Sequence, residues 1–77
     1  MRKLHSCAAT WHTIGNRERS VVICLVHATG KRGYDVFVGG SHQSGAFGQY
    51  ITTVERAPSE LQLGIWAQNL LTTGRMG

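Results

Sequence analysis

The chain reads as an α+β domain: an antiparallel sheet of three or four strands with one C-terminal helix packed on a face. Three observations predict this. Ser20 to Ala28 (SVVICLVHA) is an uninterrupted run of β-branched and apolar residues, as expected of a strand covered on both sides. Two further strand-like runs follow it, separated by glycine-containing segments. An amphipathic segment then closes the chain behind the only proline.

Within Ser20 to Ala28, Val21, Ile23 and Leu25 alternate with Val22, Cys24 and Val26, so both faces are apolar and the strand belongs inside a sheet. Thr29 to Gly33 (TGKRG) reads as a tight turn with glycines available for positive φ. It leads into Tyr34 to Gly39 (YDVFVG), where Tyr34, Val36 and Val38 share one face and Asp35 and Phe37 the other. Phe37 to Tyr50 (FVGGSHQSGAFGQY) is read as a glycine-rich loop between neighbouring strands. Phe47 to Glu55 favours a third strand through Tyr50, Ile51, Thr52, Thr53 and Val54. Pro58 suits a first helical turn and Glu60 the positive end of a helix dipole, so a helix is expected from about Pro58 to Thr72 or Thr73, with Gly74 as terminator. On a helical wheel Leu63, Trp66, Ala67, Leu70 and Leu71 form the face laid on the sheet. Leu61 and Ile65 point the other way, and contact with the N-terminal arm or a second chain, as in a homodimer, is expected there.

The first fourteen residues admit two readings. Leu4, Cys7, Ala8 and Trp11 follow helical spacing, whereas Thr10 to Ile14 (TWHTI) has strand chemistry and precedes a plausible loop, GNRE. The strand is favoured here. The helical alternative gives an αβββα order similar to that of a double-stranded-RNA-binding domain. That family carries lysines at the start of its last helix, where this chain has Ala57-Pro58-Ser59-Glu60-Leu61.

Seventy-seven residues make one domain, residues 1–77, and a chain of this length buries only about 60 to 65% of its unfolded surface. Charged residues are 16% of the chain, against roughly 25% in typical soluble domains, and a surface so poor in charge is expected to be partly covered by a partner. The net charge is +4, which favours an acidic partner or nucleic acid without separating the two. No apolar run approaches the ~18 residues of a membrane span, and Met-Arg-Lys-Leu-His is not followed by a signal core, so a cytoplasmic protein is expected. Cys7 and Cys24 are too few for a disulfide scaffold and are expected as thiols.

An antiparallel meander sorts the cationic residues by end. Lys31, Arg32 and Arg56 fall at one end together with the start of the helix, a potential anion site. Arg17 and Arg19 fall at the other, roughly 30 Å away at about 3.3 Å per residue, with the glycine-rich segment and Arg75. Two small basic patches are therefore expected rather than one stripe along a duplex.

Little in the chain points to catalytic or metal chemistry. Cys7, His12, Cys24 and His27 could be written as zinc ligands, but Cys24 and His27 are three apart on a strand and should face opposite ways. His42 has Ser41 and Ser44 beside it, yet Glu18, Asp35, Glu55 and Glu60 are all distant in sequence, and no phosphate-binding glycine pattern occurs. No catalytic residue, metal or cofactor is expected, nor an enzyme. The strands also lack the paired exposed aromatics with basic residues of an RNA-recognition motif; Tyr34, Phe37 and Tyr50 are read as core or strand-surface packing.

Two resemblances bear on function. Gly39-Gly40-Ser41-His42 resembles the Gly-Ser-His signature of HicA toxin ribonucleases, which would make His42 catalytic, although that family's motif follows an opening helix and this one follows two strand-like segments. In size, βββα layout and absence of a catalytic set, the chain resembles small anti-CRISPR proteins of phages and mobile elements. That resemblance implies a non-enzymatic inhibitor that occupies a subunit of a CRISPR effector and blocks DNA access or nuclease recruitment. The expected partner contacts are Arg17, Arg19, Lys31, Arg32 and Arg56, joined by His42, Gln43 and Tyr50. A small basic nucleic-acid-binding regulator using the same cations is the alternative, and a HicA-like ribonuclease the third.

Overall fold

A computed structural model describes residues 7–77. Four strands, β1 (Cys7–Gly15), β2 (Ser20–Ala28), β3 (Tyr34–Ser41) and β4 (Ala46–Val54), precede one helix, α1 (Glu60–Thr73). The strands form a single antiparallel sheet in the order β1-β2-β3-β4. This is the expected α+β layout, with four strands rather than three.

β2 and β3 form the interior of the sheet, and β2 is apolar on both faces. Ile23, Leu25 and Val36 pack with Leu63 and Ala67 of α1, and Tyr34, Val38, Val54, Trp66 and Leu70 close around them. Cys24 and Val26, on the opposite face of β2, are buried as well. Strand alternation thus gives the sheet two apolar sides, and among the described residues only one of them carries a helix.

The N-terminal segment is a strand from Cys7, and every residue to Gly15 pairs with β2. This is the favoured reading of the segment, and pairing with the most apolar strand excludes the αβββα alternative across these residues. The expected contact of Leu61 and Ile65 with the N-terminal arm involves Met1 to Ser6, which lie outside the described residues. At the β1–β2 connection, the side-chain Oδ1 of Asn16 accepts from the N–H groups of Glu18 and Arg19, both at 2.9 Å. That local side-chain turn fixes Gly15 opposite Ser20, and with it the register of the whole hairpin.

The glycine-rich segment is less of a loop than its composition predicts. β3 continues to Ser41 and β4 resumes at Ala46, leaving His42 to Gly45 as the turn. Backbone crowding explains the glycines: a Cβ on Gly40 would lie 2.1 Å from the Ala46 carbonyl oxygen, and one on Gly48, at φ 99°, 2.4 Å from that of Val38. Only glycine lets the two strands approach so closely at their tip.

The helix begins two residues later than Pro58. Ser59 is its N-cap, its Oγ accepting from the Gln62 N–H at 3.1 Å, and a hydroxyl that satisfies a free helical donor outcompetes proline as the starting signal. Gly74, left-handed at φ 81°, ends the helix by donating its N–H to the Leu70 carbonyl.

Candidate interaction surface

The strand registers align one residue from each strand into a rung across the sheet: Trp11 opposite Cys24, Cys24 opposite Phe37, and Phe37 opposite Tyr50. Because Ile23 and Leu25 face α1, this rung lies on the side that carries no helix. Phe47 and His42 join it from the β3–β4 tip. Phe37 meets Phe47 at 5.2 Å between ring centroids and Tyr50 at 5.7 Å, while Trp11 meets His42 at 5.0 Å and Phe47 at 6.1 Å. Tilted and edge-on rings at such separations are the favourable arrangement for aromatic pairs.

Polar atoms of this face are tied down. The Trp11 indole N–H donates to the Ala46 carbonyl at 2.9 Å, joining the first strand to the start of the last. Thr53 Oγ1 donates to Asp35 Oδ1 at 2.7 Å, so its single proton is used, and the Tyr50 hydroxyl 2.7 Å away must donate to it. Tyr50 nevertheless remains 53% exposed. Beneath the rings Cys24 is fully buried. Its thiol pKa is raised, first by burial, against which a hydrogen bond with the Thr10 backbone acts in the lowering direction. A desolvated thiol is a packing group rather than a nucleophile.

The cationic residues stand elsewhere. The four strand segments contain no Lys or Arg. Arg32 and Arg56 do fall at one end, lining a shallow hollow together with Glu55, but that carboxylate and Glu60 in the first helical turn reduce its appeal to an anion. Ser59 already occupies one of the free helical N–H groups there. Lys31 is exposed in the same connection, and its carbonyl lies 3.1 Å from Nε2 of His27. At the other end the Arg19 guanidinium donates to the Leu71 carbonyl near the helix C-terminus, a contact that the polarity of the helix favours. Arg17 is exposed in the same connection as Arg19, and His42 and Gln43 are exposed at the β3–β4 turn. Leu61 and Ile65 project from the outer side of α1, 76% and 47% exposed.

No known protein family, curated protein or solved structure matches this chain.

Two histidines fall on the opposite face. His12 and Ile23 are paired, and His27 packs against Tyr34 at 4.9 Å between ring centroids; Cys24 and His27 thus sit on opposite faces, as three-residue spacing on a strand requires. Of the residues expected to contact a partner, Tyr50 lies in the aromatic row and His42 flanks it. Trp11, Phe37 and Phe47 complete the row and were not expected as a group. A signal for Trp11 was present: a hairpin closing at Asn16 to Arg19 sets Trp11 opposite Cys24 by counting alone. The Phe47 contact had no such signal, because it depends on glycine conformations at the β3–β4 tip.

Proposed function

We propose that this chain is a non-enzymatic binding protein that occupies the surface of a larger protein or ribonucleoprotein assembly, using the helix-free face of its sheet. The observation that carries this reading is the aromatic row on strands without a single Lys or Arg. Tyrosine and tryptophan are typical anchors of protein interfaces, where they bury much area at little entropic cost. A surface for single-stranded nucleic acid also stacks on aromatics but needs cations along its path, and here the acid Asp35 shares the face. The cations at the sheet's ends, Arg17, Lys31, Arg32 and Arg56, would then act at the rim, steering approach to an acidic partner. A CRISPR effector complex, the assembly implied by the likeness to small anti-CRISPR proteins, is the specific form of the proposal.

Capture from a host lysate with immobilised wild type and Tyr50→Ala tests the general form. Wild type is expected to recover one defined assembly. Tyr50→Ala should reduce that recovery at least about tenfold, as loss of an interface anchor worth roughly 2 kcal/mol does, with an unchanged circular dichroism spectrum. Equal recovery by both proteins removes the aromatic face from the account. Steep salt-sensitive binding of random single-stranded RNA by wild type would instead support the nucleic-acid regulator. The specific form stands or falls with whether expression of the chain lets a targeted phage plate on a CRISPR-immune host.

A further inference from the structure

β1 borders the sheet, and among the described residues its outer edge pairs with no other strand. It is nine residues long, it pairs with β2 at every position without a bulge, and it contains neither a charged residue nor proline. Charge, proline, brevity and bulges are the devices by which exposed edges avoid pairing with another chain, and β1 has none of them. β4, the other border, does have one. Its pairing slips between Val36 and Phe37, which face Thr52 and Tyr50, so that Ile51 is left over as an extra residue. Nor does α1 cover the β1 edge, since the helix packs chiefly over β2 and leaves Ala8 and Thr10, on its own side of the sheet, exposed.

The sequence of β1 is complementary to itself when reversed about its central residue, Trp11. Antiparallel pairing of two copies about that point sets Thr10 opposite His12, Ala9 opposite Thr13, and Ala8 opposite Ile14. Trp11 meets its own counterpart at the centre, smaller residues meet larger ones to either side of it, and no charge meets a like charge. Alternation is preserved as well, because a two-fold axis normal to the sheet reverses strand direction without exchanging faces. We infer that the outer edge of β1 is a docking site for a second copy of this chain, whose β1 extends the sheet antiparallel about Trp11. Both helices then lie on one side, and the two helix-free faces join into one surface. This interface is distinct from the outer side of α1, and it stands whether or not that surface binds a partner.

Light scattering at about 100 µM, a concentration at which weak dimers become populated, reads it directly. Wild type should show twice the monomer mass. Thr13→Lys, which places a charge opposite Ala9 of the second copy, should return the monomer mass with an unchanged circular dichroism spectrum. Leu61→Lys/Ile65→Lys should leave the doubled mass intact. Should Thr13→Lys fail to fold, Thr10→Lys on the other face of the strand carries the same expectation. A wild-type monomer at that concentration overturns the inference, as does a doubled mass that survives Thr13→Lys or Thr10→Lys.

Discussion

Cys24 lies under the aromatic row with no exposed surface, and its environment gives it two measurable properties. Its thiol should react with a disulfide reagent far more slowly in the folded protein than after unfolding, because ionisation beneath the rings lacks solvent. Its pKa is raised in the folded state, so above the ordinary thiol pKa the unfolded chain loses a proton that the folded chain keeps. Folding stability should accordingly be at its full value below that pKa and fall as pH rises through it, relative to Cys24→Ala at the same pH values. Urea melts on the neutral and alkaline sides read the difference, and a Cys24 contribution that grows with pH would contradict the buried position. At the same scale, Thr53 is the joint between Asp35 and Tyr50. Thr53→Val should cost only about 0.5 to 1 kcal/mol, since both former partners can turn to water. A loss several times larger in urea melts would mean that the network holds the fold.

Two glycines show how position decides the sign of a substitution within an element. Gly64 lies in the interior of α1, and a Cβ there would meet nothing within 4 Å. Gly64→Ala should stabilise the protein by about 0.5 to 1 kcal/mol through helix propensity and a less flexible unfolded chain. A domain of this size then melts about 2 to 8 °C higher. Gly40→Ala places a methyl group in the backbone of β4. It should lower the melting temperature and release Phe47 from Trp11, seen as a change in tryptophan emission; a neutral outcome would mean that the β3–β4 tip is not as closely packed as described. The elements themselves were unequally legible. β2 could be read from the sequence because two apolar faces have no other use, and the helix end because Gly74 adopts the conformation glycine is chosen for. β1 was favoured as a strand from Thr10 to Ile14 alone, since its helical and strand spacings compete until β2 is available as a partner. The glycine-rich tip misled for a related reason: flexibility in the unfolded chain was read as a loop, when its use is close approach of paired strands.

On the scale of the whole molecule, an antiparallel meander fixes which connections share an end, so the placing of Arg32 and Arg56 at one end and of Arg19 with the end of α1 was legible from strand count alone. The aromatic row was not, because Trp11, Phe37, Phe47 and Tyr50 come from three strands and become neighbours only through register and the curl of the tip. Burial follows the same division. One face of the sheet is covered by α1, and the other is closed over Cys24 by rings that leave Tyr50 outward. That arrangement separates aromatic anchors from cationic groups, and this separation favours a protein surface over a nucleic-acid backbone as the partner. The most direct measurement is hydroxyl-radical footprinting of the side chains, free and in complex with the assembly that the chain captures. Protection is expected at Tyr50, Trp11 and Phe47, with Leu61 and Ile65 oxidised as readily as in the free protein; protection confined to Leu61 and Ile65, with the aromatic row unchanged, would contradict the account.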